Sequence, residues 1–132
     1  MKQKLLVAAL LAGSLGAAHA EDQWAVVAAS DTATHSVKIE TFDLQTNRSG
    51  DEVVTVIGKT EFSDKTINVY KLYVRTADCQ AGYGKLVTLS TDGTFQFDND
   101  FASGSGNVGS AKAEAVCYFY KLMQEAAAGK SL

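Results

Sequence analysis

The sequence predicts an α+β fold: an antiparallel β-sheet of about five or six strands with a C-terminal helix packed on it and disulfide-linked to it. Three observations lead there. Between Trp24 and Phe97, short runs rich in β-branched and aromatic side chains are broken by turn residues. From Ser110 onward the apolar residues recur at helical spacing. Cys79 follows a strand-like run and Cys117 sits on the apolar stripe of that helix, so a bridge between them clamps helix to sheet.

Trp24 to Ser30 reads as a first strand and Ser36 to Asp43 as a second. The turn residues Asn47-Arg48-Ser49-Gly50-Asp51 then lead into Glu52 to Phe62, which pairs with the second strand as a hairpin. In that run Val54 and Val56 share one face, and Val53, Thr55 and Ile57 the other. Thr66 to Thr76 is apolar on both faces, with Ile67, Val69 and Tyr73 opposite Tyr70, Leu72 and Val74, and is expected to be the central strand. Gly84 to Ser90 and Thr94 to Phe97 form another hairpin through Thr91-Asp92-Gly93. Links this short favour antiparallel pairing.

Asp98 to Gly109, rich in Gly, Ser and Asn, reads as a loop. The helix after it takes Ser110 as N-cap, places Glu114 near its positive end, and buries Ala113, Val116, Cys117, Tyr120, Met123 and Ala127 before Gly129 stops it. The chain has no proline, so cis-proline isomerisation does not limit its folding.

Residues 1 to 20 read as a signal peptide. Lys2 and Lys4 precede an apolar run from Leu5 to Leu15, and Ala18-His19-Ala20 supplies the small residues needed before a cut at Glu21. The run is too short to span a bilayer, and no second one follows, so no membrane insertion is expected. Leu15-Gly16-Ala17-Ala18 is not followed by the cysteine of a lipoprotein anchor, which points to a periplasmic or secreted protein without one. Removing 20 of 132 residues leaves 112, one domain over residues 21 to 132.

Twelve Lys and Arg face fifteen Asp and Glu; Lys2 and Lys4 leave with the signal, so ten basic residues remain and the net charge is −5. That balance argues against nucleic acid as a partner. Both cysteines lie in the exported part, where an oxidising compartment makes one intramolecular bridge the expected state. It closes a loop of 117 − 79 = 38 residues, worth about 4 kcal/mol if unstrained.

The patterns that suggest chemistry have plainer readings. Gly104-Ser105-Gly106-Asn107-Val108-Gly109 fits G-x-G-x-x-G, but follows a hairpin rather than a parallel strand, so it reads as a flexible loop whose helix start holds an anion at most weakly. Asp98-Asn99-Asp100 lacks the Gly and Glu of a calcium loop and reads as a solvated turn. His35, the only imidazole after the leader, reads as an exposed loop residue among Asp31, Thr32, Ala33 and Thr34. Asp51 and Glu52, adjacent on a strand, point to opposite faces and do not form an acid and base pair. No catalytic, cofactor-binding or metal-ligating residue is assigned, and the site residues are the disulfide pair Cys79 and Cys117. Tyr118-Phe119-Tyr120 circles the helix, so at least one ring leaves the core and offers a contact surface; an edge strand offers another, for self-association.

Four stretches resemble the surface-adhesin protein E family of Gram-negative bacteria. They are Val37-Lys38-Ile39-Glu40-Thr41-Phe42-Asp43, the strand Val53 to Phe62, Tyr70-Lys71-Leu72-Tyr73-Val74 leading to Cys79, and Ser110-Ala111-Lys112-Ala113-Glu114-Ala115-Val116-Cys117. The resemblance implies a sheet joined to a C-terminal helix by the Cys79–Cys117 disulfide. It also implies protein binding rather than catalysis, with no cofactor. Its partners would be host extracellular matrix or serum proteins such as vitronectin, laminin and plasminogen, and it would allow a homodimer. The alternative is a periplasmic inhibitor or envelope-assembly factor that inserts the loop Asp98 to Gly109 into an envelope protein. A small hydrolase built on His35 ranks last.

Overall fold

Alternating apolar and polar side chains fold residues 23 to 129, those that this computed structural model describes, into one antiparallel sheet of seven strands. The expected leader lies outside the described residues. The elements are β1 (Trp24–Ala29), β2 (Ala33–Lys38), β3 (Asp43–Thr46), β4 (Glu52–Phe62), β5 (Ile67–Arg75), α1 (Thr76–Ala81), β6 (Tyr83–Leu89), β7 (Phe95–Ala102) and α2 (Val108–Ala127). Neighbours across the sheet run β1-β2-β4-β5-β6-β7, and β3 also pairs with β4.

The single strand expected over Ser36 to Asp43 is two. A 3-10 turn at Ile39–Thr41 interrupts it, so β2 lies along one half of β4 (Val37 opposite Gly58) and β3 along the other (Asp43 opposite Thr55). The Thr41 hydroxyl bridges the gap. It donates to the Lys38 carbonyl at 2.7 Å and accepts the Ile57 N–H at 2.9 Å, so the amide of β4 facing the interruption keeps a partner. The hairpin to β4 therefore starts from β3, where Asn47 Oδ1 accepts the Asp51 N–H at 2.9 Å.

β4, flanked along its length, is the central strand in place of β5. Its Val53, Val54, Thr55 and Val56 are all buried, whereas on β5 only Leu72 and Val74 are, and Ile67 and Val69 are 51% and 48% exposed. The cause is pairing: β6 meets β5 only at Lys71, Leu72 and Tyr73.

α2 packs on one face of the sheet. Its Ala113, Val116 and Tyr120 meet Val37, Val54, Val56, Leu72, Val74, Leu86 and Phe101. Each aliphatic side chain sealed there contributes about 1.5–3 kcal/mol. Of the expected stripe, Cys117 and Met123 are half-buried and Ala127 is exposed.

Two further expectations are corrected. α1 occupies the segment between the last two hairpins, where no helix was expected; at six residues it is too short to show a period, and Gly82, at φ 85°, ends it. The expected loop over Asp98 to Gly109 begins as strand. β7 continues to Ala102, with Asp98 opposite Val87 and Asp100 opposite Lys85, because cross-strand charge pairing sustains a run with few apolar residues.

Candidate functional site

The Cys79–Cys117 bridge joins α1 to α2, with the two Cα atoms 5.2 Å apart. α1 is anchored to the sheet by Asp78, which is 7% exposed. Its carboxylate accepts from Arg75 Nη2 at 2.9 Å, from Arg75 Nε at 3.3 Å and from the Lys85 N–H at 3.3 Å. Gly84 makes room for that carboxylate, since a Cβ there would overlap Asp78. Disulfide and buried carboxylate together fix the helix-bearing end of the molecule.

His35 is not in a loop. It lies in β2, half-buried, with Nδ1 3.0 Å from Thr60 Oγ1, and Thr60 Oγ1 is 2.7 Å from the Tyr70 hydroxyl. Burial, and secondarily the nearby Lys112 ammonium, lower the His35 pKa below its ordinary value. The Lys112 ammonium stands 4.9 Å from the centre of the Tyr70 ring. Tyr70 itself lies against Gly58, where a Cβ would approach Cε1 to 2.7 Å. A hydroxyl beside an imidazole resembles a nucleophile with its base. Here Thr60 is 5% exposed, so a substrate has no approach to that hydroxyl, and the chain ties β2, β4 and β5 together. Sequence reasoning missed it because the alternation that reveals a strand is weak in Ala33–Lys38.

The Gly-rich segment is occupied by its own contacts. The Gly104 N–H donates to Glu114 Oε2 at 2.7 Å, the Ser105 hydroxyl to Ser110 Oγ at 2.7 Å, and the Ser110 N–H to Asn107 Oδ1 at 2.8 Å. Asn107, not Ser110, is the N-cap. Ser110, fully buried, accepts instead from the Ala102 N–H at 3.1 Å and ties the end of β7 to the helix. Asp98 and Asp100 form no turn: both face Lys85, whose Nζ lies 4.0 and 2.6 Å from them. Among the described residues no three His, Cys, Asp or Glu side chains gather as metal ligands.

Of the aromatic run, Tyr118 is 58% exposed, Phe119 stacks on Phe42 with centroids 4.1 Å apart, and Tyr120 is buried with its hydroxyl accepting from Gln124 Nε2 at 2.7 Å. Only Tyr118 is left for a contact surface.

The sheet face opposite α2 is buried at Ser36, Val53, Thr55 and Val87 and exposed toward the Ile67 end of β5. Register places Trp24, Lys59, Val69 and Lys71 on it, with Lys59 opposite Val69 and Ile57 opposite Lys71. The Lys59 ammonium sits 4.4 Å from the Trp24 ring centre. Lys38, Arg75 and Lys85 pair with carboxylates; among the described residues Lys59 and Lys71 have no ionic partner. Exposed Val26, Ile67 and Val69 add apolar area. This part of the face thus mixes apolar side chains, an indole and ammonium groups, a combination that can meet acidic groups and apolar area together.

Comparison with family models, curated proteins and solved structures found no match to this chain.

Proposed function

We propose that this chain is an exported, non-enzymatic binding protein that meets a protein partner with the uncovered face of its sheet. The observation that carries the reading is that face: exposed Val26, Ile67 and Val69 beside the ammonium groups of Lys59 and Lys71, which have no ionic partner among the described residues. The leader-like first 20 residues and the Cys79–Cys117 bridge support an oxidising compartment outside the cytoplasm. No helix among the described residues is long and apolar enough to cross a membrane.

The resemblance to surface-adhesin protein E supplies the partner class: host matrix or serum proteins such as vitronectin, laminin or plasminogen. For the envelope-factor alternative, the segment left to insert is the exposed stretch 103 to 107 between β7 and α2, since Asp98–Ala102 lies in β7. Purified oxidised protein, residues 21 to 132, is to be tested against immobilised vitronectin, laminin and plasminogen. Binding above that of an unrelated acidic protein supports the adhesin reading. No binding to any of them, with capture of an envelope protein instead, moves the function to the periplasm.

A further inference from the structure

β5 outruns its neighbour. The Phe62 N–H donates to the Thr66 carbonyl at 2.8 Å, and alternation along an antiparallel strand then directs the backbone groups of Asn68 and Tyr70 to β4 and those of Ile67 and Val69 to the other side. On that other side β6 begins pairing only at Lys71. The N–H and C=O groups of Ile67 and Val69 are therefore unclaimed inside the sheet, at a step where one hairpin projects beyond the next. A notch of about 320 Å³ opens there, between Val69, Tyr70, Thr88, Leu89 and Phe97.

Unpaired strand edges recruit other strands, and natural sheets shield them with charge or with short length. Here the edge is flanked by exposed Ile67, Val69 and Phe97. Four lysines surround it. Lys65 precedes it in the turn, Lys71 continues β5, Lys59 stands across from Val69, and Lys112 reaches the Tyr70 ring. None of the four has a carboxylate within ion-pair distance among the described residues, whereas Lys38, Arg75 and Lys85 all do. Glu61 stands across from Ile67 in the same register, and Asp64 lies in the turn before it. Lys65 holds its place at φ 77°, a left-handed conformation that glycine would adopt more easily.

We propose that Ile67–Tyr70 receives an extended, acidic segment of a partner protein as an added strand. The backbone groups of Ile67 and Val69 supply its hydrogen bonds, and the lysines supply its charge preference. This rests on the protein-binding reading and names the segment that the face would take.

The test uses oxidised protein, residues 21 to 132, and a synthetic eight-residue peptide alternating valine with glutamate. Two controls are the same peptide with lysine for glutamate, and one interrupted by proline. The readout is amide hydrogen exchange at Ile67 and Val69. With the acidic peptide both amides are expected to slow by about tenfold or more, and with either control they are not. Val69→Pro removes the outward N–H without touching the ladder to β4, and is expected to abolish the protection read at the Ile67 amide. A second variant, Lys71→Glu, keeps the backbone intact and is expected to weaken binding, so a folding defect in the proline variant leaves the test standing. Protection that appears at the outer edges β1 or β7 instead, equal protection by the lysine peptide, or no protection overturns the proposal. A matrix or envelope protein bound equally by wild type and by Lys71→Glu overturns the added strand while leaving the protein-binding reading in place.

Discussion

At the residue scale, small groups hold open the room that charged and aromatic ones occupy. Gly84→Ala places a methyl group against the Asp78 carboxylate, which already holds Arg75 and the Lys85 N–H. The expected loss is about 2 kcal/mol, read as a lower urea midpoint. Lys65→Gly relieves a left-handed backbone and is expected to gain about 1 kcal/mol. His35 gives a pH signature. Its folded pKa lies below the ordinary 6.5, so the unfolded chain takes up the proton first. Stability is therefore full above pH 6.5 and declines as the pH falls through that value. Denaturant titrations between pH 7.5 and pH 5.5 should show this decline, and His35→Asn should flatten it. Neither the Asp78–Gly84 contact nor the His35–Thr60 one is legible in the sequence, because each depends on which segment becomes the neighbour. Asp78 and Gly84, six positions apart, meet only after α1 has turned the chain.

At the element scale, patterning revealed most of the strands and the long helix, since β4, β5, β6 and α2 each repeat an apolar period over enough residues to show it. Two boundaries differ from the sequence reading. β2 and β3 read as one strand, but a 3-10 turn divides them, with Thr41 bonded to the strand that both pair with. β7 reads short because polar pairing with Lys85, not burial, extends it. The disulfide was readable from compartment and cysteine number, but its attachment to a second helix was not. Cys79→Ser with Cys117→Ser frees α1 from α2; a loss of about 2–5 kcal/mol is expected, measured by thermal or urea unfolding against the oxidised protein. Asn107→Ala removes the acceptor of the Ser110 N–H and is expected to cost about 1 kcal/mol by the same measurement.

At the scale of the whole molecule, a single helix cannot cover both faces of seven strands. α2 seals one face around Val54, Leu72 and Val116; on the other, Val53, Thr55 and Val87 are buried while Val26, Ile67 and Val69 are exposed. A binding role is an expectation of the sequence, and no stretch of it locates a surface. Its basic residues stand singly along the chain, with no run of them to mark a surface. Only the register between β4 and β5 brings Lys59 and Lys71 together beside Val69 and Trp24. The decisive measurement compares oxidised wild type with Lys59→Glu/Lys71→Glu, both as residues 21 to 132, in quantitative binding to vitronectin, laminin, plasminogen and the proteins of the producer's envelope, with unfolding midpoints measured alongside. The account predicts that the wild type binds an identified protein from that set and that the double variant loses at least tenfold in affinity at an unchanged midpoint. Equal binding by both, or binding by neither above an unrelated acidic protein, would contradict it.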